Sequence, residues 1–438
     1  MAFQVTADPA EPDLLFLPWH LPLAEWPDEA TVSLPQGISR HIVRFVRLHG
    51  VVYAIKETQQ PIAEREHVML GRLARLEAPC VESVGVISGR HDADGNELPA
   101  ALMTKHLEFS LPYRALFSST LRQDTANRLL DALALLLVRL HLIGFYWGDC
   151  SLSNTLFRRD AGSFAAYLVD AETGDLHEQL SDGQRAYDLD LAVTNATGEF
   201  MDLAAAELLH ESIDPFVTGE QIRTRYERLW ESITKPLIMK ASERYKLDER
   251  IRLLNDMGFD VAQMEATTSR HPSGEDIRIL MTPKVVDSGH HARRLIRLTG
   301  LDVEENQARR LLNDLDQFRI DRDIDEKDEA LSAHRWVTEA FESVLALVPK
   351  SMRGRLEPAE IYHEILQHRW YMSEKAGKDV GRHVAAEDYV KNILVNKPEE
   401  RAIIGSSENS DDDTTAMGLS FPEGTPDISH DNDIDGQL

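Results

Sequence analysis

The chain has 438 residues, 42% apolar and 28% charged, which excludes a membrane-dominated or wholly disordered protein and, at roughly 150 residues per domain, points to two or three domains. A formal net charge of −27 opposes association with polyphosphate backbones, and two cysteines, Cys80 and Cys150, exclude a disulfide framework or a four-cysteine zinc site. The first residues, MAFQVTADPAEPDLLFLPWH, lack the basic start and apolar run of a signal peptide, and the longest apolar segment is interrupted by Asp131, Arg139 and His141. A cytoplasmic protein without a transmembrane segment is therefore expected.

In chain order, residues 1–28 are rich in Pro and Trp and read as an extended lead-in that packs on the first domain. Residues 29–107 carry the strand-like stretches ATVSLP, HIVRFVRLHG and VVYAIKE, rich in β-branched and aromatic types, with a hairpin at His49-Gly50. An amphipathic helix, IAEREHVMLGRLARL, and two further strands, CVESVGVIS and AALMTKHLE, complete a β-β-β-α-β-β order. Residues 108–240 turn helical through TANRLLDALALLLVRLHLIG, where Gly144 stands at the helix stop; a hairpin follows, NTLFRRDAGSFAAYLVDAE, turning at Asp160 to Ser163. Residues 241–319 read as a small α-β-β-α module, 320–398 as a helical module, and 399–438 as a disordered acidic tail, since Ser406 to Leu438 hold nine acidic residues and no lysine or arginine.

The chemistry concentrates where four residue types occur in a fixed order. Lys56 closes the strand VVYAIK, and Glu66 or Glu64 on the next helix could hold it. Asp149 and Asn154 sit five apart in YWGDCSLSNTLF, after the most apolar helix, and Asp170 ends the strand AAYLVDAE. Phosphoryl transfer needs a strand lysine for phosphates, a glutamate to steady it, an aspartate at the accepting hydroxyl, and Asn and Asp ligands for metal ions. Singly, each is a common surface residue; together they are specific.

Residues from about 35 to 195 resemble the protein-kinase-like superfamily. The GDCSLSN loop is similar to the G-D-x-S/H-x-x-N form of atypical bacterial kinases: the lipopolysaccharide-core (Kdo) kinases, aminoglycoside phosphotransferases and RIO kinases. VDAE resembles I-D-W-E rather than D-F-G, while LTGLDVEENQARRLLNDLD and AEIYHEILQHRWYMSEKAG resemble an uncharacterised bacterial domain that follows a kinase-like region. The resemblance implies an α+β, two-lobed fold with an antiparallel-sheet N-lobe and a helical C-lobe. It implies ATP and Mg²⁺ as cofactors and a hydroxyl-bearing acceptor: a small molecule, a sugar-containing envelope precursor or a protein.

Residue by residue, the resemblance makes Lys56 the phosphate lysine, Glu66 its partner, Asp149 the catalytic base, and Asn154 and Asp170 the Mg²⁺ ligands. Asp188, with Asp190 its competitor, would steady the catalytic loop, and the adenine hinge falls near Met103 to Leu107, with His106 inside it. The phosphate-covering segment LPQGISRHIVRF offers only Gly37, with Ser39, Arg40 and His41 as donors. That shortage of glycine supports the alternative of a pseudokinase scaffold displaying the C-terminal modules to a protein partner. A weaker alternative, a nucleic-acid regulator, uses the basic cluster within 290–312, but Asp302, Glu304 and Glu305 begin the helix that would meet bases. HEILQH, His363 to His368, places its histidines five apart, off the shared helical face that a zinc-protease motif needs.

Overall fold

The computed structural model describes residues 4–7, 12–28, 31–32, 41–117, 123–240, 245–256, 260–271, 274–284, 289–322, 324 and 329–400. Gly37, Ser39 and Arg40, and the acidic tail beyond residue 400, lie outside the described residues.

The first lobe is a five-stranded antiparallel sheet in the order β1-β4-β5-β3-β2, built from β1 (Gln4–Ala7), β2 (Val43–Leu48), β3 (Val51–Thr58), β4 (Ser83–Ser88) and β5 (Ala100–Lys105). Period-two alternation sorts its two faces. Ala100 and Leu102 join Val86 under Ala63 of helix α1 (Gln60–Arg75), whereas Ala101 and Met103 join Tyr53 and Ile55 on the opposite face. That opposite face is covered by the lead-in, whose Leu14, Trp19, Leu23 and Trp26 are buried against it. Arg90, fully buried, fastens the lead-in: it donates to the Trp19, Leu21 and Pro99 carbonyls and pairs with Glu57 at 2.8 Å. The lead-in is thus an edge strand and a cover.

The second lobe is organised around α3 (Gln123–Leu142), which buries eleven side chains including Leu129, Leu133, Leu136 and Leu140. After the short strand β6 (Ser110–Pro112) and the single turn α2 (Tyr113–Leu116), α3 ends where Gly144 takes φ +83°. A Cβ there would collide with the His177 carbonyl oxygen, so glycine is required for close approach as well as for backbone conformation. Strands β7 (Phe145–Tyr146) and β10 (Asp175–Leu176) pair with each other, and β8 (Thr155–Asp160) and β9 (Ser163–Leu168) form a hairpin beside β6. Ala161 and Gly162 both have positive φ, which gives the two-residue turn the twist a tight hairpin needs. Helices α4 (Asp182–Ala205) and α5 (Pro215–Thr234) close the lobe, with α4 started by a Ser181/Gln184 capping box.

Beyond α5, β11 (Leu237–Lys240) pairs with β13 (Gly274–Lys284), which also pairs with β12 (Asp260–His271); α6 (Tyr245–Asp256) lies between β11 and β12 in the chain. Two differences from the sequence reading have a physical origin. The small sheet recruits β11 from before residue 241. Helices α7 (His290–Thr299) and α8 (Glu305–Asp321), grouped in sequence with those strands, share one apolar core with α9 (Glu329–Trp336), α10 (Glu342–Leu345), α11 (Pro358–Ala376) and α12 (Arg382–Asn392). A π-helical turn, Val337–Phe341, joins α9 to α10 and places Phe341 against Trp336 and Tyr362 in that core. Local periodicity identifies a helix but not the core its apolar stripe enters.

This helical unit grips the β8–β9 hairpin. Arg158 pairs with Glu304 and Glu357 at 2.9 and 2.6 Å, Arg159 pairs with Glu400 at 2.8 Å, and Tyr167 donates to Glu304. Asp160 accepts from the Gln307 backbone and the Asn306 amide, while Glu360 accepts from the Ala161 backbone at the hairpin turn. Burial pushes the Asp160 and Glu357 carboxyls up, Glu357 to about 7, with neighbouring carboxylates adding to both shifts. The same contacts place Glu304, at the start of α8, against the hairpin, so this helix start does not stand open for a DNA groove. His363 is buried in α11 while His368 pairs with Asp388, separating the two HEILQH histidines. Among the described residues no helix is long and apolar enough to cross a membrane.

Candidate active site

Strand parity puts Lys56 on the α1 side of β3, because Ile55 faces the other way into the lead-in core. On α1 the inward stripe is Ala63, Glu66, Leu70 and Leu73, at helical spacing. Glu66 therefore points inward at 1% exposure and meets Lys56 at 2.8 Å, whereas Glu64 lies on the exposed side and accepts from Gln60. Lys56 also reaches Asp170 at 2.8 Å and Glu172 at 3.3 Å, bringing the two lobes together at one ammonium. Burial lowers the Lys56 pKa, but Glu66 and Asp170 outweigh it and hold the ammonium above the usual lysine range. Glu66 is pushed up to about 7 by burial and by the Asp170 charge, against the pull of Lys56. Burial is the larger cause, and crowding adds to it: three carboxylates share one cation.

The catalytic-loop candidates are held from below. Asp188, fully buried on α4, accepts from the Trp147 and Gly148 backbone N–H groups, each at 2.8 Å, and from His141 at 3.0 Å. A carboxylate only accepts, so His141 donates through Nε2 and its Nδ1 accepts from the Tyr226 hydroxyl at 2.6 Å. Burial lowers the His141 pKa, in keeping with this neutral tautomer. Asp190 lies outside this arrangement, exposed and paired with Arg223. Trp147, fully buried, donates through its indole N–H to the Asp170 carbonyl at 2.9 Å, tying the loop to the strand end that carries the acid. Cys150 is buried, and burial pushes its thiol up, so it is a packing residue.

Asp149 and Asn154 are in contact. The Asn154 amide donates to the Asp149 carbonyl at 3.0 Å and to its Oδ2 at 3.2 Å. Both partners are acceptors, which fixes the amide orientation and leaves Oδ1 as the atom with which Asn154 could hold a cation. Val169 donates to the Asn154 carbonyl at 3.0 Å, so Asn154 and Asp170 stand at adjacent positions where β8 and β9 meet. Glu66, Asp170 and Glu172 each bring a carboxylate oxygen within 4.8 Å of the others. This surplus of negative charge in hard oxygen donors suits Mg²⁺ better than a soft metal.

One expected nucleotide contact is corrected by the geometry. Met103 is fully buried in the lead-in core and its backbone pairs with both Ile55 and Gly85, so it has nothing to offer a base. His106 donates its backbone N–H to Val52 at 2.8 Å, and its ring lies edge-on to Phe45 with its pKa lowered to about 4 by burial. His41, beside the undescribed segment 33–40, lies 3.6 Å from Glu172.

Sequence reasoning missed Glu172, Asn195 and Glu199. Glu199 accepts from the Leu152 and Ser153 backbones at 2.7 and 2.9 Å and from the Ser153 hydroxyl, and Asn195 donates to Asp149. A signal existed. Asp188, Asn195 and Glu199 fall at i, i+7 and i+11, one face of α4, turned toward the loop.

Comparison with known proteins finds two matched regions in the chain. Residues 47–198 match the lipopolysaccharide kinase (Kdo/WaaP) family, and residues 228–394 match a domain of unknown function, DUF4032. Among solved structures, WaaP in complex with acyl carrier protein is similar at 14% identity with a TM-score of 0.33, covering 58% of this chain and 99% of that one. No curated protein matches. With the sheet lobe, the helical lobe and the family match, the fold is two-lobed and kinase-like, followed by a domain of unknown function.

Proposed function

We propose that the Kdo/WaaP-type region at 47–198 makes this chain an ATP- and Mg²⁺-dependent phosphotransferase acting on a hydroxyl acceptor. The observation that carries the reading is the convergence of Lys56 with Glu66 from one lobe and Asp170 from the other, beside a loop on which Asn154 touches Asp149. In this reading residues 29–107, with the lead-in strand Gln4–Ala7, form the N-lobe and 108–236 the C-lobe, with the small sheet of β11–β13 and the helical unit of α7–α12 appended.

Asp149 receives the proton of the acceptor hydroxyl as the acceptor oxygen bonds the γ-phosphorus and the bond to the departing ADP oxygen breaks. Lys56, held by Glu66, neutralises phosphate charge, and Trp147 and Asp188 keep the loop rigid so that little reorganisation is needed during transfer. Mg²⁺, held by Asp170 and Asn154, would supply further charge neutralisation at the transferred group. The acceptor is a small molecule, a sugar-containing envelope precursor or a protein, and the reading implies a cytoplasmic enzyme. The glycine-poor segment around Gly37 favours a second reading, a nucleotide-sensing pseudokinase scaffold.

The two readings separate on slow transfer to water. Purified protein incubated with ATP and Mg²⁺ is expected to form ADP steadily, and EDTA to stop it. A folded protein that binds nucleotide yet forms no ADP with any hydroxyl acceptor in a sugar, lipid-precursor and protein panel would leave only the scaffold.

A further inference from the structure

We propose that Asn195 is a positioning residue for phosphotransfer, fixing the Asp149 carboxylate from the C-lobe; this rests on the reading of Asp149 as the group that receives the hydroxyl proton. Asn195 lies in the middle of α4, and its Nδ2 donates to Asp149 Oδ1 at 3.2 Å and to the Cys150 carbonyl at 3.1 Å. Both partners only accept, and an amide nitrogen has two hydrogens, so one side chain satisfies both. An aspartate of the same shape would satisfy neither and would set a like charge against Asp149.

The geometry gives Asn195 a part that Asn154 cannot play. Asp149 is held at Oδ2 by Asn154 and at Oδ1 by Asn195. Asn154 is a candidate metal ligand, so its amide answers to the ion as well as to the carboxylate. Asn195 belongs to a helix whose neighbouring turns already grip the loop through Asp188 and Glu199, and it is the fixed point against which the carboxylate plane is set. A carboxylate with both oxygens restrained can present a remaining lone pair to an acceptor hydroxyl in one direction.

The test compares wild type with Asn195→Ala and Asn195→Asp, using Mg²⁺-dependent ADP formation resolved into kcat and KM, and ATP affinity by titration. The alanine variant is expected to lose about 10- to 100-fold in kcat with ATP affinity unchanged. KM for ATP should stay at the parental value, because Asn195 touches the Asp149 carboxylate and not the phosphate-side residues. The aspartate variant, which keeps the shape, should be worse than alanine; a packing role predicts the reverse. Parental kcat in the alanine variant, or an aspartate variant at least as active as alanine, in a series whose wild type turns over, would overturn this inference alone. A folded wild type with neither ATP binding nor turnover would overturn it together with the proposed function.

Discussion

Asp149→Asn is expected to lower turnover by roughly 10²–10⁴-fold while leaving Mg²⁺-dependent ATP binding intact. Asparagine has nearly the same shape; its one carbonyl oxygen keeps one of the two side-chain bonds while its NH2 faces a donor at the other, and the loop keeps the bonds from Asn154 to the residue-149 carbonyl and from Asn195 to the Cys150 carbonyl. It cannot accept a proton from an acceptor hydroxyl. The phosphate-side residues Lys56, Glu66 and Asp170 make their mutual contacts without Asp149, which is why binding should survive. ADP formation under saturating MgATP, with parallel titration of the nucleotide, separates the two effects. Equal loss of both would mean that the substitution disturbs the site as a whole, and no loss of turnover would remove Asp149 from the chemistry.

The second large effect lies at the contact between the C-lobe and the helical unit. Arg159→Ala is expected to cost about 3–5 kcal/mol in local stability, because it strands a buried carboxylate rather than removing a matched pair. Glu400 faces Arg159 with only 2% of its side chain exposed, and Glu360 and Glu364 also lie in the field of this guanidinium. Hydrogen exchange reads the result directly. The Ala161 and Gln307 amides donate across this contact, to Glu360 and Asp160, and should lose protection together in the variant. Unchanged protection at both would show that Arg159 does not hold the units together. The loop that carries Asn154 runs directly into β8, and Arg158 and Arg159 lie on that strand, so the domain of unknown function grips the hairpin that carries the candidate metal ligands at its base.

What the sequence disclosed follows from the range of the interactions involved. The order β2-β3-α1-β4-β5 was legible because β-branched strands and a 3.6-residue stripe are local signals; ATVSLP, also read as a strand, lies mostly outside the described residues, and of it Val32 makes an isolated bridge to Phe45. The choice of Glu66 over Glu64 was open to a parity argument: Ala63, Leu70 and Leu73 define the buried stripe, and Glu66 falls on it. Asn195 and Glu199 were readable only by asking what shares a helix face with Asp188. Glu172 was hidden because nothing in VDAE says that a second acid bends back to Lys56. Met103 was misjudged for the opposite reason, since a hinge inferred from chain order cannot show that β5 is paired on both sides. The lead-in strand Gln4–Ala7 and the grip of Glu304, Glu357 and Glu400 on β8 join residues distant in the chain, and no local periodicity records such pairings.

The measurement that bears most directly on the central claim is equilibrium titration of the folded protein with ATP, with and without Mg²⁺, beside an Asp170→Asn variant. Asp170 touches Lys56, precedes Glu172 by two residues and stands next to Asn154 across the base of the hairpin, so the account predicts metal-dependent binding in the wild type. The variant should lose that metal dependence. Absence of ATP binding by a folded wild type, or binding that neither Mg²⁺ nor Asp170 affects, would contradict the account.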